Sequence, residues 1–148
     1  GFVYGPGGLF KSSFYDTLQR GQLKVFGSGK NYWSPIQVDD LALAYALVAE
    51  GQYFGENFNI VDDQPLTLHE LVDTITDEQG VKKVGNINPW LLGLFIGSPL
   101  VKSLTCSFRV RNDKAKNVLS WKPAYPNFQS GIKPTLQQLN QKQINEPE

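Results

Sequence analysis

The sequence lacks methionine altogether, has one cysteine and one histidine among 148 residues, and balances 14 basic against 14 acidic side chains. A single Cys106 excludes an intrachain disulfide and a thiolate metal cluster, and it suits a reducing compartment such as the cytoplasm. With His69 as the lone imidazole, a zinc site would have to be built from carboxylates, so no metal is expected. Zero formal charge supplies no field for a phosphate backbone or an anionic bilayer, which removes charge-driven nucleic-acid and membrane-surface binding. No apolar run approaches the roughly 20 residues of a transmembrane span; the longest, Trp90 to Val101, is interrupted by Gly93, Gly97 and Pro99. The missing initiator methionine and the abrupt opening Gly1-Phe2-Val3-Tyr4 read as a piece taken from a longer protein.

What is present is 41% hydrophobic and 12% aromatic, enough apolar material for one domain with a sizeable core. Residues 2–4 read as the end of a strand, turned by Gly5-Pro6-Gly7-Gly8 into a helix whose apolar face is Phe10, Phe14 and Leu18 and whose stop is Gly21. Leu23 and Val25, then Ile36 and Val38, predict two short strands around the loop Gly27-Ser28-Gly29-Lys30-Asn31. Asp39 and Asp40 open a helix through Ala49 that is apolar almost all round and therefore expected to be buried. Phe58 to Val61 reads as a short strand. Thr67-Leu68-His69-Glu70 is a capping box, and Leu68, Leu71, Val72 and Ile75 form the face of the helix it starts. Trp90 to Val101 is expected to be helical, Asn112 or Asp113 caps a helix through Leu119, and Trp121-Lys122-Pro123 makes a corner. Residues 131–139 predict a last helix with Pro134 in its first turn. The domain spans residues 1–140, and 141–148 reads as a frayed polar tail.

Glycine loops are the usual route to a phosphate site, but neither one here has the required form. Gly27-Ser28-Gly29-Lys30 would place the first P-loop glycine at Lys24 and the closing hydroxyl at Asn31, and both fail. Gly5-Pro6-Gly7-Gly8 lacks the dinucleotide spacing, and proline removes an amide. Asp39 and Asp40 serve as helix-start groups rather than an acid–base pair. His69 has no nucleophile or carboxylate constellation in the sequence to support catalysis. Cys106 reads as an inert small side chain.

The order of segments carries more. Phe2-Val3-Tyr4-Gly5-Pro6-Gly7, the Gly27 loop leading into residues 34–42, residues 58–61 with residues 65–71, and residues 114–123 resemble the C-terminal half of the extended short-chain dehydrogenase/reductases, the NAD-dependent epimerase/dehydratase family. The resemblance runs from residue 1 to about Leu139. It implies an α/β fold: the C-terminal part of a Rossmann-type doubly wound NAD(P)-binding fold, with a mostly helical substrate-binding lobe. It also implies a catalytic Tyr-x-x-x-Lys pair upstream of this chain. The residues four after each tyrosine are Gly8, Gln19, Ile36, Ala49, Asn57 and Gln129, none of them lysine. No catalytic residue is therefore expected here, and the chain alone should not transfer hydride.

The resemblance further implies that Gly1, Phe2 and Val3 edge the nicotinamide of an NAD or NADP held mostly by the missing half; a plain core-strand role for Phe2 and Val3 is compatible with this. Phe2, Tyr4, Tyr32, Trp33 and Gln37 are the side chains expected to approach substrate. Relatives acting on nucleotide sugars commonly carry an arginine where Trp33 stands and a histidine where Gln37 stands. An indole cannot neutralise a diphosphate, so the expectation shifts to a small carbonyl or hydroxyl compound. Trp33 as ordinary core packing stays open. Two rival readings stand beside this one: a cofactor-free binding or scaffold module with the same fold, and a nucleotide-sugar enzyme whose diphosphate is held by Lys24, Lys30 or Arg20. Separated from an upstream half, the chain would leave strand edges unpaired and should self-associate, as a homodimer or more loosely.

Overall fold

The computed structural model describes residues 1–91 and 97–145. At its centre β1 (Phe2–Tyr4) lies parallel to β4 (Pro35–Gln37), with Phe2 opposite Pro35, Val3 opposite Ile36 and Tyr4 opposite Gln37. Residues 60–62 run along the far side of β4, where the Asp62 amide donates to the Pro35 carbonyl at 2.7 Å. The predicted strand at Phe58–Val61 does not form. Pro35 has no N–H to return the next rung, so one hydrogen bond is made and the ladder stops.

Side chains alternate along β1, and each face of the sheet meets a different core. Phe2 and Tyr4 join the larger cluster with Phe10, Phe14, Leu71, Val72, Ile75, Phe128 and Ile132, while Ile36 joins Ala44, Ala115, Leu119 and Trp121 on the other side. A parallel pair covered on both faces is the arrangement expected of an α/β fold. The first helix, α1, spans residues 8–19 as a continuous run: α over Gly8–Phe10, π over Lys11–Tyr15 and α over Asp16–Gln19. Its predicted face, Phe10, Phe14 and Leu18, is buried.

The loop at Gly27 joins two strands that do not pair with each other, because each has its own partner elsewhere. β2 (Val25–Phe26) pairs in parallel with β6 (Asn86–Ile87), and β3 (Tyr32–Trp33) pairs antiparallel with β5 (Leu66–Thr67). Val38, predicted to end a strand, instead opens α2 (Val38–Glu50). Its cap is the Gln37 side chain, which accepts from the amides of Asp39 and Asp40. Asp40 is free for another task. Its carboxylate accepts from the amides of Ala124 at 2.7 Å and Tyr125 at 2.9 Å, and its carbonyl accepts from the Trp121 indole at 3.0 Å. One buried acid therefore fastens the Trp121–Tyr125 corner to the start of α2. The expected burial of α2 is only half met, since Ala42, Leu43, Tyr45, Ala46 and Ala49 are exposed.

The capping box forms as read. Thr67 Oγ1 accepts from the Glu70 amide at 3.2 Å, Glu70 Oε2 accepts from the Thr67 amide at 2.7 Å, and α3 (Leu68–Glu78) follows. It buries Leu68, Leu71, Val72 and Ile75, each worth about 1.5–3 kcal/mol. Of the expected helix from Trp90 to Val101, residues 92–96 lie outside the described residues, and α4 occupies Ser98–Thr105. α5 (Asp113–Leu119) ends at Ser120, whose φ of 53° is left-handed. The last helix, α6, runs Phe128–Asn145, so it starts three residues before the prediction, carries Pro134 beyond its first turn, and extends into the segment read as a frayed tail. The earlier start follows from Asn127, whose Oδ1 accepts from the Ser130 amide at 2.9 Å and opens the helix ahead of Gly131.

Candidate functional site

β1 pairs with β4 on one edge only; among the described residues nothing pairs with the other edge. The Phe2 amide donates to the Ser34 carbonyl at 2.9 Å, so Phe2 presents its backbone to β4. By alternation the amide and carbonyl of Val3 face the open edge, one donor and one acceptor of the kind a carboxamide or another strand would use. Beside this edge lies a depression of about 580 Å³ lined by Gly1 and all of β1, the Gly5–Gly8 turn, Leu9 and Val38. Gly5 is required there, because a Cβ on it would come within 2.5 Å of the Val38 side chain. No charged side chain lines the depression.

Of the expected substrate-facing residues, the structure brings Phe2 and Trp33 together. Their ring centroids are 4.9 Å apart and tilted by 59°, both rings are partly buried, and Phe14 supports them at 5.3 Å from Phe2 and 6.1 Å from Trp33. Tyr4 is different. Although it shares Phe2's face of β1, it is fully buried, packs edge-on against Phe128 at 4.8 Å, and donates from Oη to Asp62 Oδ2 at 3.3 Å. Gln37 is only 3% exposed, and its side chain is spent on capping α2 and donating to Asp39 Oδ2 at 3.0 Å. Neither approaches the depression with a free polar group. Tyr32 points to the opposite side of β3 from Trp33 and carries the Arg109 guanidinium 3.6 Å above its ring. Lys24, Lys30 and Arg20 are exposed and line neither cavity described here.

Two residues that sequence reading missed organise this region. Ser34 is buried, donates to the Phe108 carbonyl at 3.0 Å and accepts from the Val110 amide at 3.0 Å, so residues 107–110 lie along 32–34 and set Arg109 over Tyr32. Asp62 is 2% exposed, and its Oδ1 has no hydrogen-bond partner. Burial pushes its carboxyl up to about 8; the Tyr4 hydrogen bond opposes this and Asp40 adds to it. The same burial, with Asp62 beside it, raises the Tyr4 phenol above its usual range. No local pattern could have found these residues, because their partners lie dozens of positions away.

A second cavity of about 290 Å³ lies by Asp62, Asp63, Arg109, Arg111 and Lys116. Most of its charge is already matched internally, with Arg111 on Asp113 at 2.6 Å and Lys116 on Asp63 at 2.5 Å, so it offers little to an external anion. His69 pairs with Asp73 at 3.3 Å on the solvated side of α3, and Cys106 is exposed and free. Among the described residues no group of three His, Cys, Asp or Glu could hold a metal, and no helix is long and apolar enough to cross a membrane.

Parallel strands covered on both faces, followed by a helical lobe, define the second half of a Rossmann-type doubly wound fold. The chain matches the C-terminal half of NAD-dependent epimerase/dehydratase structures. A human epimerase family protein crystallised with NADPH superposes with a TM-score of 0.84 at 18% identity, covering 93% of this chain and 46% of that one. A dTDP-glucose 4,6-dehydratase from Streptomyces venezuelae with NAD bound gives 0.74 at 22% identity over 99% and 44% of the two chains. A Thermotoga maritima UDP-glucose 4-epimerase with UDP-glucose gives 0.71 at 25% identity over 97% and 44%. Among curated proteins, a 3-diazoavenalumate denitrifying reductase from a Streptomyces species is 25% identical over 134 residues, 89% of this chain and 44% of that protein. No family model matches the sequence. The chain thus spans about half the length of the relatives it matches.

Proposed function

We propose that this chain is the substrate-binding half of an NAD(P)-dependent oxidoreductase or epimerase. Its Tyr-x-x-x-Lys acid–base pair would reside in a nucleotide-binding half not contained in residues 1–148. The observation that carries this reading is the open edge of β1, which borders the apolar depression at Gly1–Leu9. Val3 and Tyr45, 40% and 70% exposed, extend the apolar surface toward α2. A half-domain carrying the remaining strands would pair with that edge and cover that face.

A dinucleotide bound in the assembled enzyme would supply the hydride chemistry. This chain's residues would position and exclude. Gly1, Phe2 and Val3 would edge the nicotinamide, since the depression beside them has room for the ring, while the Val3 amide and carbonyl are the groups the missing strand would pair with. Phe2 and Trp33 would meet the substrate and keep water from it. A small carbonyl or hydroxyl substrate suits a wall without cations. The free Cys106 is consistent with a cytoplasmic setting.

The test is calorimetric titration of NADH and NADPH into the protein encoded together with whatever coding sequence precedes residue 1. Binding of either is the expected result. Absence of affinity for both, or a native protein whose intact mass is the 16.5 kDa of this chain, would overturn the reading.

A further inference from the structure

We infer that Phe2 and Trp33 form a stacking wall that selects a substrate carrying a planar aromatic ring. This inference rests on the functional reading above and names the substrate class for the same site. Two partly buried rings tilted at 59° with centroids 4.9 Å apart present an edge and a face to a third ring, the geometry in which aromatic quadrupoles attract. The wall is held from behind. Phe10 and Phe14 are buried and stacked at 6.0 Å with only 11° between their planes, and Phe14 contacts both wall residues. A ring docking there meets surfaces already fixed by packing, so little rotamer freedom is lost on binding.

Polarity points the same way. Tyr4 carries the one side-chain hydroxyl among the residues lining the depression, and that hydroxyl is turned inward to Asp62. A sugar or diphosphate placed against this wall would leave its own donors and acceptors unpaired, whereas an aryl group has none to lose. Trp33 is not among the residues lining the depression; it stands against Phe2, which is, and both rings are only partly buried. A saturated ring of equal bulk would gain burial but not the edge-to-face contact, so planarity rather than size is what the wall reads.

The experiment titrates the 15N-labelled protein, encoded together with whatever coding sequence precedes residue 1, with acetophenone, cyclohexyl methyl ketone and UDP-glucose, reading the Trp33 indole and Phe2 amide resonances. Acetophenone should shift both and bind about twofold to tenfold more tightly than its saturated counterpart, the ratio an aromatic pair contributes. UDP-glucose should shift neither. Trp33→Leu should bring the two ketones to equal affinity, and if that variant does not fold, Phe2→Leu reads the same ratio. Equal affinity in the unsubstituted chain, no shift with acetophenone, or the same shifts with UDP-glucose would overturn the inference. Failure of the dinucleotide titration would leave this ratio measurable on the same protein, so the two failures are distinguishable.

Discussion

Replacing Asp62 by asparagine removes a buried acid whose carboxyl sits near 8 instead of the ordinary 3.8. The sign follows from linkage: between those values the folded chain holds a proton that the unfolded chain has released. Stability from this group is therefore complete below about pH 4, falls by about 1.4 kcal/mol per pH unit up to about pH 8, and is level beyond. The full span is on the order of 6 kcal/mol, comparable with the whole stability of a small domain. Asp62 is 2% exposed, so solvent screening relieves little of it, and local opening around residues 60–63 sets the ceiling on what is observed.

Asparagine is neutral throughout. Its carbonyl can still accept from Tyr4, but its amide replaces an Oδ1 that has no partner in the fold, leaving buried donors unsatisfied at a cost of about 1–3 kcal/mol. Asp62→Asn should thus be less stable than the original chain at pH 4 and more stable at pH 9, with the two curves crossing between roughly pH 4.5 and 6. Urea denaturation followed by circular dichroism at one-unit pH steps, with the slope checked for constancy, measures this directly. A stability difference that stays flat from pH 5 to 9 would show that Asp62 titrates as an ordinary carboxyl and that the account of its burial is wrong. Tyr4→Phe supplies an internal check. Losing the hydrogen bond that favours the ionised form should move the levelling-off to higher pH.

Thr67→Ala removes the hydroxyl that accepts from the Glu70 amide and should cost about 1 kcal/mol of stability, read as a lowered urea midpoint and unchanged between pH 6 and 9. Ser120→Gly should stabilise by about 1 kcal/mol, since a φ of 53° is strained for serine and not for glycine; a loss in thermal midpoint would count against that account. The chain alone should sediment as dimers or larger species through the open edge of β1 and the uncovered face of α2. Combined Val3→Lys and Tyr45→Lys substitutions should shift it toward monomer, and a wild-type chain monodisperse at 100 µM, ~10 times a typical working concentration, would refute the uncovered-face argument.

Local signals were legible where structure is made by residues a few positions apart. The capping box at Thr67 needs only Glu70 three residues on, and the apolar spacing in α3 and α1 is set within each helix. Strands failed where a distant partner decides. Phe58–Val61 has strand composition, but its neighbour β4 begins with Pro35 and cannot supply the second rung. Leu23 to Val38 shows two alternating pairs, yet the strand at Val25 pairs with β6, more than fifty residues downstream, and the strand at Ile36 pairs with β1 near the chain's beginning. Composition also misjudged α2. An all-apolar helix states that it wants covering on every side, not that this polypeptide contains the cover.

The site was legible by position and not by orientation, and Phe2 and Tyr4 show why. Strand alternation correctly puts both on one face of β1, so sequence parity treats them alike. What separates them is α6. Phe128 packs on the Tyr4 ring, and Gly131 lies so close that a Cβ there would collide with the Tyr4 hydroxyl, which leaves Tyr4 no direction but inward toward Asp62. Phe2, one turn of the pleat nearer the chain's beginning, lies beyond the reach of that helix and keeps part of its ring free beside Trp33. Gln37 is removed from the site by the same logic on a shorter scale, because a helix starting at Val38 needs a cap and the preceding side chain is the one in reach. The burial of Phe2, Tyr4 and Gln37 thus follows from whether a neighbouring helix has a claim on the side chain. Phe2 and Trp33 stay partly buried because nothing in the described residues covers them completely, and that incomplete cover is what the proposed substrate contact requires.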